Sequence, residues 1–173
     1  MSGMLVNHKK DAAHNISIAV ITVSDTRTKD TDKSGKKIME LLKEANHQVS
    51  LYKIIPDERE QIRMTVEKAI YSNRIDAVIV NGGTGISYRD VTIESIEPLF
   101  DKHLPGFGEL FRYLSYQYDI GTASILSRAT CGVANHRLIF SIPGSTGAVT
   151  LAMERLILPE IGHMVKEIKK DLG

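Results

Sequence analysis

Apolar runs of strand length alternate with amphipathic stretches along the first half of the chain. Residues 16–23 read Ile-Ser-Ile-Ala-Val-Ile-Thr-Val, a run rich in Val, Ile and Thr that gives way to the polar segment Ser24 to Asp30. This predicts a strand followed by a loop of functional character. From Ser34, the residues Ile38, Leu41, Leu42 and Ala45 recur at the spacing of one helical face, with lysines and glutamates opposite. Val49 to Ile55 reads as a second strand. Pro56-Asp57-Glu58 punctuates it, and Asp57 is suited to cap a helix that carries Ile62, Val66, Ala69 and Ile70 on one side. After the polar turn Ser72-Asn73-Arg74, a third strand runs from Ile75 to Asn81.

Past a glycine-rich loop, Thr92 to Phe100 reads as a short helix, and Pro105-Gly106-Phe107-Gly108 as a turn that opens another. Leu110, Phe111, Leu114 and Tyr118 form the expected apolar stripe of that helix. Tyr113 to Tyr118 holds three tyrosines, and with Ile120, Ile125 and Leu126 it offers either a subunit interface or ordinary core; the pattern does not choose. Thr130 to Ala134 and Arg137 to Ile142 flank Asn135-His136, as in a hairpin or an edge strand beside a central one. Ser145 is placed to cap a long final helix whose inward stripe is Ala148, Val149, Ala152, Met153 and Leu156, and Pro159 should kink or split it. The fold class expected is α/β: a three-layer αβα sandwich, its sheet mostly parallel with one antiparallel edge strand or hairpin.

Composition narrows the function classes. With 173 residues, 42% apolar and 25% charged, the chain suits one compact domain over 16–173, preceded by a flexible tail at 1–15. A formal net charge of +1 with dispersed lysines and arginines lacks the basic footprint of a nucleic-acid binder. The single cysteine, Cys131, rules out an intrachain disulfide and a zinc framework, and reads most simply as a small buried apolar residue. No apolar run is long enough for a membrane span, so no membrane partner and a cytoplasmic location are expected.

The candidate chemistry lies in residues 78–92, Val-Ile-Val-Asn-Gly-Gly-Thr-Gly-Ile-Ser-Tyr-Arg-Asp-Val-Thr. A buried strand stops at Gly82, Gly83, Thr84 and Gly85, a loop that can turn backbone N–H groups on an anion. Asp90 then puts a carboxylate near that anion, which makes electrostatic sense when a cation such as Mg²⁺ lies between them. Local alternatives stand beside this reading: Asp57 as a helix cap, the glycines as a tight turn, and Arg89 and Arg128 as surface ion pairs rather than oxyanion ligands. Because ligands of open α/β sheets bind beyond the carboxyl ends of the strands, the segments that begin at Ser24, Pro56 and Asn81 should converge.

Seven motifs in one order carry a resemblance: Val-Ser-Asp at 23–25, Pro-Asp-Glu at 56–58, Gly-Gly-Thr-Gly at 82–85, Arg-Asp-Val-Thr at 89–92, Pro-Gly-Phe-Gly-Glu at 105–109, Ser-Arg-Ala at 127–129 and Pro-Gly-Ser at 143–145. Together they resemble the MogA/MoaB family of molybdenum cofactor biosynthesis, most closely its MoaB branch. The resemblance implies a molybdopterin adenylyltransferase, a nucleotidyltransferase that joins molybdopterin to the adenylyl group of Mg-ATP and releases pyrophosphate. It implies catalytic, metal-holding aspartates at Asp57 and Asp90, nucleotide and phosphate contacts at Gly82, Gly83, Thr84, Gly85 and Arg89, and pterin contacts at Ser24, Asp25, Ser127, Arg128 and Ser145. It also implies a homo-oligomer, trimer or hexamer. One segment departs from the adenylyltransferase branch, where Pro-Gly-Asn-Pro is common and this chain has Pro-Gly-Ser-Thr-Gly. That departure leaves a second expectation, a weak or silent homologue that binds molybdopterin and passes it to a partner.

Overall fold

The computed structural model describes residues 15–172, so all but the last residue of the expected tail lies outside the described residues. A six-stranded sheet has the order β2-β1-β3-β6-β5-β4. Its first four members, β2 (Gln48–Ile55), β1 (Ser17–Val23), β3 (Ala77–Asn81) and β6 (Arg137–Ile142), are parallel. β5 (Thr130–Ala134) pairs antiparallel with β6, and the two-residue β4 (Lys102–His103) pairs antiparallel with β5. The mostly parallel sheet with an antiparallel hairpin is the expected architecture.

Six helical segments cover it: α1 (Lys33–Glu44), α2 (Arg59–Ile70), α3 (Thr92–Ile96), α4 (Pro105–Tyr118), α5 (Thr146–Ala152) and α6 (Leu158–Lys169). β1 and β3 are buried on both faces, which is why their sequences are continuous apolar runs rather than alternations. Alternate residues still part to opposite layers. Ile18, Val20, Ile79, Leu138 and Phe140 pack with α1, α4, α5 and α6, whereas Ala19, Ile21, Val78, Val80 and Ile139 pack with α2 and Ile96 of α3. Cys131 is buried, and burial pushes its thiol pKa up, as expected for a structural cysteine.

Two expectations need correction. The helix after β2 is capped by Glu58, not Asp57, and no side-chain cap bond forms. In α4 the buried residues are Gly108, Phe111 and Ser115, while Leu110 and Tyr118 face outward. Close packing explains this, because a Cβ on Gly108 would stand 2.5 Å from the Ala129 carbonyl oxygen, so small residues occupy the sheet-facing side. The final helix is split as expected of Pro159: Met153–Ile157 forms a π-helical stretch, and Pro159 falls in the first turn of α6. A proline ring clashes with the carbonyl four residues back, here Arg155, and the wider turn relieves that clash. No helix among the described residues is long and apolar enough to cross a membrane.

Candidate active site

The chain leaves β1 toward β2 on one side and later enters β3 on the other, so the sheet reverses its winding between β1 and β3. A cleft of about 470 Å³ opens at this edge. It brings together eight of the expected residues, Ser24, Asp57, Gly82, Gly83, Thr84, Gly85, Asp90 and Ser127. Asp25, Arg89, Arg128 and Ser145 do not line it.

The glycine loop sets the spacing of the two carboxylates. Gly82 has φ +101° and passes so close to β1 that a Cβ would meet the Val23 carbonyl oxygen at 2.2 Å. At Gly83, φ is +64°, and a Cβ would stand 2.2 Å from Thr92 Oγ1 and 2.8 Å from Asp57 Oδ1. A Cβ on Gly85 would meet Asp90 Oδ2 at 2.7 Å. The missing side chains are thus what lets both carboxylates lie against the loop. Thr92 N donates to the Gly83 carbonyl at 3.1 Å, but the buried Thr92 hydroxyl has no partner among the described residues.

The aspartates differ electrostatically. Burial raises the Asp57 carboxyl pKa, and the neighbouring charges of Asp25 and then Asp90 add to the rise. A bond from the Asp25 backbone amide and the Arg89 charge offset the rise only in part. Asp25 accepts from Arg89 Nε and Nη2 at 2.8 to 3.1 Å and from the Asp57 amide at 3.0 Å, and these bonds hold its carboxyl below the usual range. Asp25 therefore ties the loops after β1, β2 and β3 together from outside the cleft. No cluster of three acids, histidines or cysteines among the described residues could hold a metal ion by itself. The cleft still fits an ion such as Mg²⁺, which takes one or two protein carboxylates and completes its shell with water and substrate phosphate. The repulsion that remains on Asp57 is compatible with a cation at this position.

Arg128 supports the loop from behind. Its Nε donates to the Gly85 carbonyl at 2.9 Å, its Nη2 donates to the Asp90 carbonyl at 3.0 Å, and Glu94 accepts from the guanidinium, which lowers the Glu94 pKa. Ser145 caps α5, accepting from the Ala148 amide at 3.2 Å. Ser24 accepts from the Thr26 and Arg27 amides at 3.3 and 3.2 Å and shapes the loop after β1.

Sequence reasoning missed Asp32 and Arg27. Asp32 is fully buried and caps α1. It accepts from Thr22 Oγ1 at 2.6 Å, the Tyr52 hydroxyl at 2.7 Å, the Gly35 amide at 3.0 Å and Ser34 Oγ at 3.2 Å. Burial alone would raise its pKa, yet the bonds from Thr22, Gly35, Tyr52 and Ser34 hold it below the usual carboxylate value. The Tyr52 pKa is raised in turn, by burial and by Asp32. Asn81 completes the network, donating to Thr22 Oγ1 and accepting from Ser34, each at 2.8 Å. A signal was available: Thr22 and Asn81 are polar residues at core-facing positions of two wholly buried strands, and such groups need buried partners. Arg27 joins this network to the cleft, with Nη1 on Asp32 and Ser34 and Nη2 donating to the Gly144 carbonyl at 2.8 Å.

Comparison with known proteins places this geometry. Residues 19–163 match the family model described as Probable molybdopterin binding domain. The Molybdenum cofactor biosynthesis protein B of Bacillus subtilis (strain 168) is 56% identical over 164 residues, which cover 95% of this chain and 96% of that protein. A crystal structure of Molybdenum cofactor biosynthesis protein B superposes with a TM-score of 0.90 at 49% identity, covering 92% of this chain and 99% of that one. The tungsten cofactor synthesizing protein MoaB from Pyrococcus furiosus superposes with a TM-score of 0.79 at 42% identity, covering 91% and 99% of the two chains.

Proposed function

The chain belongs to the molybdopterin-binding domain family, among the MoaB/MogA-like proteins of molybdenum cofactor biosynthesis, and from that premise we propose that it is a molybdopterin adenylyltransferase. The terminal phosphate of molybdopterin attacks the α-phosphorus of ATP. A new P–O bond forms, the bond between the α-phosphorus and the bridging oxygen breaks, and pyrophosphate leaves with the electron pair. One observation carries this reading: Asp57 and Asp90 lie against the glycine loop at Gly83 and Gly85, within one cleft.

The nucleophile is already ionised and has no proton to give up, so the aspartates serve as charge-bearing ligands rather than general bases. Asp57 and Asp90 would hold Mg²⁺, which would supply positive charge against the substrate phosphates. The loop holds its place through Arg128, so its geometry is set before substrate arrives. The exposed apolar residues Leu110, Tyr113, Tyr116, Tyr118 and Ile125 support a homo-oligomer, trimer or hexamer, which light scattering after gel filtration would measure. ATP as co-substrate and the lone buried thiol of Cys131 suit a cytoplasmic protein.

The test is incubation with molybdopterin, ATP and Mg²⁺, reading pyrophosphate beside the adenylylated pterin. Product that depends on Asp57 and Asp90 supports the transferase, and wild-type turnover by Asp90→Asn would refute the assigned role. A second reading, pterin binding without transfer, draws on the segment 143–147, where the Ser145 hydroxyl is engaged as a cap and the Gly144 carbonyl accepts from Arg27. Tight molybdopterin binding with no pyrophosphate would favour it.

A further inference from the structure

The charges of the cleft are ordered along the glycine loop. A Cβ on Gly144 would stand 3.2 Å from Gly82 Cα and 3.5 Å from both Arg27 Nη atoms, which puts the guanidinium beside the Gly82 end. Asp57 sits against Gly83 and Asp90 against Gly85. Arg27 is the cation among the residues that line the cleft, because Arg89 is held by Asp25 outside it and Arg128 is engaged behind the loop. A ligand lying along the loop therefore meets a cation at one end and two carboxylates at the other.

Arg27 is also oriented in advance. Its backbone amide donates to Ser24 Oγ at 3.2 Å, and its side chain, 30% exposed, is held by Asp32, Ser34 and the Gly144 carbonyl. Asp32 is itself immobilised by donors from β1, β2 and α1. These contacts use three of the five guanidinium N–H groups and leave Nε–H and one Nη2–H for further bonds. A surface arginine would need to be ordered by the ligand that it binds, whereas this one is not.

From this arrangement we propose that Arg27 is the oxyanion-binding residue of the cleft, receiving a substrate phosphate at the Gly82 end, with Asp32 as its positioning residue. The proposal rests on the reading above that the cleft takes phosphorylated substrates, and it adds which end takes the unmetallated phosphate. Nothing in the sequence motifs singled out Arg27. The source of the phosphate is either the monoester of molybdopterin or the nucleotide, and the two are distinguishable by experiment.

Arg27→Gln removes the charge while Asp32 keeps its bonds from Thr22, Tyr52, Ser34 and Gly35, so the fold should persist, as circular dichroism can check. Calorimetric titration of wild type, Arg27→Gln and Arg27→Lys with molybdopterin alone and with ATP alone reads binding without needing turnover. Loss of a charge-assisted pair should weaken one ligand on the order of ten- to a hundredfold, with Arg27→Lys intermediate because it keeps charge but not the fork. Weakening confined to molybdopterin assigns the pterin phosphate, and weakening confined to ATP assigns the nucleotide; either supports the site. Unchanged affinity of Arg27→Gln for both ligands overturns it, as does a wild type that binds neither. A wild type that binds molybdopterin through Arg27 but releases no pyrophosphate would sink the transferase while leaving this site standing.

Discussion

Replacing Asp32 by alanine tests whether the network beneath the cleft holds the fold together. The substitution strips the acceptor from Thr22, Tyr52 and the Gly35 amide at once, in a place with no exposure to water. Each buried donor left unsatisfied costs about 1–3 kcal/mol, and removing one member of a buried charged set about 3–5 kcal/mol in all, since the penalties overlap and are not additive. For a chain of this length, about 2–4 °C of melting temperature corresponds to 1 kcal/mol, so Asp32→Ala should melt roughly 6–20 °C lower. Urea denaturation followed by circular dichroism measures the free energy directly. The pH dependence has a definite sign. The folded-state pKa of Asp32 is depressed, so its contribution is complete above the ordinary carboxylate value of about 3.9 and is lost as pH falls through the depressed value. The gap between wild type and variant should therefore narrow in acid. A loss below about 1 kcal/mol at neutral pH, the scale of an exposed ion pair, would refute the reasoning.

The carboxylate in the cleft should behave in the opposite way. Because the Asp57 pKa is raised, the fold favours its protonated form; that stability is complete below the ordinary carboxylate value and is lost as pH rises through the raised one. Asp57→Asn should thus have a higher urea midpoint than wild type at neutral pH, an advantage that disappears in acid, while pyrophosphate release is abolished. Thr92→Val keeps the shape and removes a buried hydroxyl without a partner, so it should stabilise the fold by about 1 kcal/mol in the same denaturation assay. Gly83→Ala combines positive φ with a Cβ driven against Thr92 and Asp57; it should lose more than about 1 kcal/mol and all pterin-dependent pyrophosphate release, measured together.

The parallel half of the sheet was legible because burial on both faces leaves strands such as Ala77–Asn81 apolar up to their last residue and bounded by turn residues. β4 left no trace, since two residues cannot show a period; it exists through bonds from the Asp101 and Leu104 amides to the Val133 and Cys131 carbonyls on β5. The buried face of α4 was misread for a related reason. Hydrophobic counting cannot see Gly108 and Ser115, whose value is that they are small. That Asp57 and Asp90 share one cleft was legible because each lies in a segment that follows a strand, whereas their roles rested on the resemblance. Asp32 was not, because an aspartate before a helix reads as an ordinary cap, and only the register of Thr22 and Asn81 shows that this cap lies inside the core.

The two sets of polar groups explain each other. In the cleft, burial and the charges of Asp25 and Asp90 outweigh what favours the Asp57 carboxylate, and the Thr92 hydroxyl behind Gly83 has no partner among the described residues. Those features weaken the fold at the place where a cation and phosphates would have to be received. On the other side of the same strand ends, Thr22, Asp32, Ser34, Tyr52 and Asn81 satisfy one another within a network that joins β1, β2, β3 and α1. Stability and reactivity thus occupy adjacent but separate groups, as is common where a site needs charge that the fold does not neutralise. Arg27 is bonded to this network and also lines the cleft, so substitutions at Asp32 should reach the cleft through the guanidinium, whereas substitutions at Asp57 should leave the Asp32 network intact.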